Sequence, residues 1–122
     1  MNYSRNFLVI GALYLIIGIG FGMYMGGSQD FTLAPVHAHI NLIGFVLMTL
    51  FGLAYRLIPA LAGNSLAKAH FWLHQIGAAG TLLFLFLLIS GIAPAVAPMM
   101  PIFEGLIALG IIAWAINLYQ NA

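Results

Sequence analysis

The chain alternates long apolar runs with short polar breaks. Four runs reach the roughly 20 residues that a bilayer-spanning helix needs: about 7–26, 35–59, 69–91 and 98–119. Gly26-Gly27-Ser28-Gln29-Asp30 interrupts the first run and Pro59 closes the second. Gly63-Asn64-Ser65 reads as a turn, and Pro94, Pro98 and Pro101 punctuate the last connection. Pro35 suits the first turn of the second helix. The pattern predicts an all-α integral membrane protein, a single four-helix transmembrane domain over residues 1–122. In the first run Gly18, Gly22 and Gly26 recur every four residues, a spacing that lets helix backbones approach closely in lipid.

Composition agrees. Of the residues, 64% are hydrophobic and 4% charged, whereas a soluble domain carries charge on roughly 25%. The chain has no cysteine, which excludes a disulfide framework and a thiolate metal site. A net charge of +1 offers no footprint for nucleic acid. The first apolar run is too long for a signal-peptide core and lacks a small-residue cleavage site, so it reads as a retained helix. In a four-span topology Arg5, Arg56 and Lys68 fall on one side and Asp30 on the other. The positive-inside rule then places both termini in the cytoplasm. Tyr3, Tyr55, Phe71, Trp72 and Tyr119 fall at that inner boundary, where an interfacial belt is expected.

The chemistry-bearing residues are few. His37-Ala38-His39 opens the second run, with Asn41 close behind. Residues two apart on a helix point about 200° apart, so the two rings face different neighbours. The topology sets His37 and His39 in the outer third of the membrane, level with Glu104, the only acid in a spanning segment. Ionisable groups at that depth are functional-site candidates. The outer set offers neutral imidazole to haem iron, or imidazole plus carboxylate (His37, His39, Glu104) to copper or zinc. The plainer alternative is a pair of interfacial histidines bonded to a loop or headgroup, and a protonated Glu104 bonded to a neighbouring helix. His70 and His74 share one helix face at i, i+4, beside Gln75, and form a possible inner metal site; interfacial or core histidines are the alternative. The methionines Met23, Met25, Met48, Met99 and Met100 are read as apolar filling rather than a copper path. At about 1.5 Å per residue the two clusters stand roughly 15 Å apart along the membrane normal. No Ser-His-Asp order, phosphate loop or carboxylate pair argues for hydrolysis or phosphoryl transfer. Four helices enclose a small interior, so an oligomer is expected.

Two motifs carry a family resemblance. His37-Ala38-His39-Ile40-Asn41-Leu42-Ile43-Gly44-Phe45-Val46 is followed by Leu50-Phe51-Gly52-Leu53-Ala54-Tyr55-Arg56-Leu57-Ile58-Pro59, and His70-Phe71-Trp72 begins the next helix. From His37 to about Gly91 the chain resembles the tenth and eleventh helices of the haem-copper oxidase catalytic subunit. It is closest to the cbb-type oxidases and the related nitric oxide reductases. The resemblance implies that His37 ligates a high-spin haem b and His39 a low-spin one, in a bacterial-type inner membrane beside a redox partner or respiratory complex. It also implies what is missing. That subunit has at least twelve helices in three arcs of four, and the remaining haem and copper ligands come from the other arcs. One arc alone does not complete an oxygen-reducing centre, so an enzyme is not expected. A homotrimer would restore twelve helices. The implied function is haem-linked electron transfer or binding of nitric oxide or oxygen. Haem-free copper or zinc binding at protomer interfaces, and a structural or assembly role in a respiratory complex, are the alternatives.

Overall fold

The computed structural model describes residues 1–122. It contains four helices long and apolar enough to cross a membrane. They are α1 (Tyr3–Ser28), α2 (Ala34–Leu57), α3 (Ser65–Ile89) and α4 (Met100–Asn121). Short 3₁₀ turns at Pro59–Leu61 and Pro94–Met99 make the last two connections.

Local chemistry sets the boundaries, which differ from the apolar runs by a few residues. The Asn2 side chain accepts from the Arg5 N–H at 2.9 Å and starts α1 before the apolar run begins. Asn64 does the same for Ala67 at 3.0 Å, so α3 begins at Ser65. Gln29, at φ 57°, closes α1 in the left-handed region. Pro59 forces the residue before it out of helical geometry, and α2 stops at Leu57 with Ile58 at φ −125°, ψ 80°. In the α1–α2 loop the Thr32 hydroxyl and N–H both donate to Asp30, at 2.6 and 3.0 Å. These bonds, the hydroxyl's first, hold the exposed Asp30 carboxyl below the ordinary carboxylate range.

The helices pack as two antiparallel hairpins, α1 with α2 and α3 with α4. Glycines make the close approaches. A Cβ on Gly18 would collide with the Asn41 side chain. One on Gly77 would sit 2.9 Å from the Ile107 backbone nitrogen and from the Phe103 carbonyl. Between the hairpins, one end of the molecule is filled with rings. Tyr3, Phe7, Phe51, Tyr55 and Phe71 are buried there, with Trp114 packed against them. Tyr55 and Phe71 were expected at an interfacial belt with Tyr3. Instead all three form core, because the ends of all four helices converge on them; only Trp72 and Tyr119 remain exposed, at 46% and 93%. The other end has a smaller buried cluster of Val36, Ile40 and Leu82. Long outward faces carry Leu, Ile and Val (Ile16, Leu50, Leu83, Leu109), as contact with lipid requires.

α4 is latched at the aromatic end by Asn117, which is fully buried. Its amide donates to the Leu61 carbonyl at 2.9 Å, and its Oδ1 accepts from Asn64 at 3.0 Å and Asn121 at 2.9 Å. Replacing Asn117 by Ala orphans these groups, at a cost of about 1–3 kcal/mol. Thermal unfolding followed by circular dichroism in mild detergent should show a clear drop in Tm for Asn117→Ala and little change for Asn121→Ala. Equal Tm values for Asn117→Ala and the parent would remove the latch.

Candidate functional site

α2 is not a uniform helix. Between α-helical Ala34–His39 and Leu47–Leu57 lies a π-helical segment, Ile40–Val46. The Leu47 N–H reaches back five residues to the Leu42 carbonyl. Such widened turns occur often at functional sites. Here the segment begins directly after the two histidines and has no signature in the apolar pattern.

His37 turns toward α1. Its Nδ1 lies 2.7 Å from the Gly18 carbonyl oxygen. A carbonyl only accepts, so Nδ1 carries the proton and Nε2 holds the lone pair. The Asn41 amide lies 3.4 Å from that Nε2 and donates to it. The ring rests against Gly22, where a Cβ would come within 3.2 Å of Cε1. Both nitrogens of His37 are therefore engaged inside the chain. The Nδ1 contact is the short one, and the 3.4 Å contact at Nε2 is long for a hydrogen bond.

His39 turns the other way. Its Nδ1 donates to the Pro35 carbonyl at 2.7 Å, which fixes the tautomer and leaves Nε2 as a free lone pair. A backbone carbonyl on one nitrogen and an open position on the other is the usual preparation of a metal-ligating histidine. His39 is exposed, and it heads a strip of exposed Leu42, Val46, Leu50 and Leu53 along α2.

His39 and Glu104 face a common space. Both line a cavity of about 260 Å³ between α2, α3 and α4, with Ile43, Thr81, Leu85, Met100 and Ile107. His37 does not join them. The cavity is below the roughly 300–1,000 Å³ of drug-sized ligand pockets, so a macrocycle such as haem does not fit within it. A haem on His39 would have to lie outside that cavity. No group of three or more His, Cys, Asp or Glu side chains converges anywhere in the chain.

The inner pair is organised differently. His70 and His74 are fully buried rather than interfacial. Tyr55 Oη lies 3.0 Å from His70 Nδ1, and His74 Nε2 donates to the Ile43 carbonyl at 3.1 Å, in the middle of the π segment. His70 Nε2 and His74 Nδ1 have no hydrogen-bond partner. The Phe51 ring packs edge-on against both imidazoles, with centroids 4.3 and 5.1 Å away. The two rings, 6.3 Å apart, thus serve different partners within a packed aromatic cluster, and no cavity is found between them.

Sequence reasoning missed Thr81, Tyr55 as a partner for His70, and Asn117. A lone Thr or Asn in an apolar helix was the available signal. Comparison with protein-family models, with curated proteins and with solved structures finds no match.

Removing the Tyr55 hydroxyl leaves His70 Nδ1 unpaired at full burial. Tyr55→Phe should destabilise the fold by about 1–3 kcal/mol, read as a lower Tm in mild detergent. Tyr119→Phe, at an exposed site, should leave Tm unchanged. A Tm for Tyr55→Phe equal to the parent's would remove the bond's structural role.

Proposed function

We propose that this chain is a membrane-embedded haem b protein related to the haem-copper oxidase catalytic subunit. It holds the haem through His39, at the boundary between copies, for electron transfer or for binding nitric oxide or oxygen. The observation that carries this reading is the free His39 Nε2 at the head of an exposed apolar strip. The motif resemblance supports it. The chain would offer haem iron one imidazole nitrogen, Nε2 of His39, whose ring is held through Nδ1 by the Pro35 carbonyl beside an apolar strip. When bound, haem supplies the redox or gas-binding chemistry. The chain's part would be to fix the His39 ring through the Pro35 carbonyl. His37 serves instead to join α1 and α2.

Three copies give the preferred assembly, with twelve helices in a comparable ring. Arg5, Arg56 and Lys68 all sit at the aromatic end of the hairpins, which favours cytoplasmic termini in a bacterial-type inner membrane, with a redox partner or respiratory complex alongside. A second reading is haem-free copper or zinc, favoured by the shared cavity of His39 and Glu104. A structural or assembly role is favoured by the internal hydrogen bonds of His37, His70 and His74.

The absorption spectrum of protein purified from membranes separates these. The haem reading expects a Soret band that His39→Ala removes and His70→Ala largely preserves. Equal losses, or the reverse order, overturn the assignment to His39. A colourless protein with stoichiometric copper or zinc by elemental analysis replaces haem by the metal reading; neither signal leaves the structural role. Native mass spectrometry in mild detergent should give a trimer, and a monomer or dimer overturns that assembly.

A further inference from the structure

Thr81 is 3% exposed, and its hydroxyl has no hydrogen-bond partner. A threonine inside a helix commonly returns its hydroxyl to the carbonyl one turn earlier. Thr81 does not, although an unpaired buried hydroxyl costs about 1–3 kcal/mol. It lines the cavity that also holds His39 and Glu104. Three helices thus each bring one polar side chain to the same space: His39 from α2, Thr81 from α3 and Glu104 from α4.

The donor set selects an occupant. His39 presents an imidazole lone pair, Glu104 a carboxylate and Thr81 a hydroxyl oxygen. The remaining walls, Ile43, Leu85, Met100 and Ile107, are apolar. No fixed positive charge is available to Glu104: Arg5, Arg56 and Lys68 stand near the opposite ends of their helices. Imidazole with carboxylate suits zinc or copper(II). Magnesium and calcium require a fuller oxygen shell than two side chains give.

We propose that this cavity binds one zinc-class divalent cation within a single copy of the chain. His39 Nε2 and the Glu104 carboxylate are its protein ligands. Water fills the open positions, and the Thr81 hydroxyl, enclosed and without a partner in the empty site, turns about χ1 to hydrogen-bond one of those waters when the cation binds. The proposal deepens the metal reading above: Thr81 takes the place given to His37, and no second copy is needed. Because zinc and haem iron would both claim His39 Nε2, the two occupants exclude each other.

Isothermal titration of the full chain in mild detergent, freed of haem and metal, with zinc chloride alone tests this. One zinc per chain should bind saturably and survive excess magnesium. Affinity should fall at least tenfold in Glu104→Gln, fall several-fold in Thr81→Val and recover in Thr81→Ser, while His70→Ala binds as the parent does. Circular dichroism without zinc identifies any variant that has lost its helices; Thr81→Ser and the parent then carry the comparison. Prior loading with zinc should also reduce haem uptake. Failure to saturate, or equal affinity in the parent and a folded Glu104→Gln, overturns the site. Zinc binding by protein that takes up no haem upholds the cation site and defeats the haem reading alone. A Soret band without saturable zinc binding does the reverse.

Discussion

The bilayer core contains no water, so each polar group placed there must find its partner in the protein. Four imidazoles in a chain of 122 residues make that constraint severe, and they meet it to different degrees. His37 spends both nitrogens on the contact between α1 and α2. His70 and His74 each take one internal partner and leave the other nitrogen buried without one, within a cluster of aromatic rings. His39 alone satisfies one nitrogen and leaves the second open at the protein surface. What distinguishes the residues chemically is therefore the partners they have left, not their identity.

The same constraint divides the molecule along its length. At the aromatic end Phe7, Phe51, Tyr55, Phe71 and Trp114 fill the space between the hairpins, and Asn117 ties α4 to the turn after α2. At the other end the side chains between the hairpins are smaller and cavities remain. Two lie between α1 and α3, where Ile17, Phe21 and Phe86 contribute apolar walls to both; a third holds His39, Thr81 and Glu104. A densely packed end thus carries a more open one.

Much of the fold was legible because it rests on period and length. Four apolar runs became four helices, and proline and asparagine explain their shifted ends. The divergence of His37 and His39 followed from helical phase, and His39 and Glu104 line one cavity. Other features depend on tertiary choices that no local pattern records. Helical phase tells that His37 and His39 part company, but not that a glycine carbonyl awaits only one of them. Charge placed the His70 end near a membrane surface, yet convergence of four helix ends buried it completely. Thr81 looked like one more tolerated hydroxyl until the loss of its own backbone partner set it apart.

The π-helical turn in α2 gives chain length at this point an unusual weight. Deleting one residue from Ile40–Val46 would let an ordinary α-helix form, rotating everything before it by about 100° relative to the rest. His37 would leave the glycine-lined face of α1, and His39 would swing away from Glu104. Conservative substitutions within the segment leave that phase intact, whereas a single-codon deletion rewires both histidines at once. In this helix the spacing is as much a part of the chemistry as the side chains.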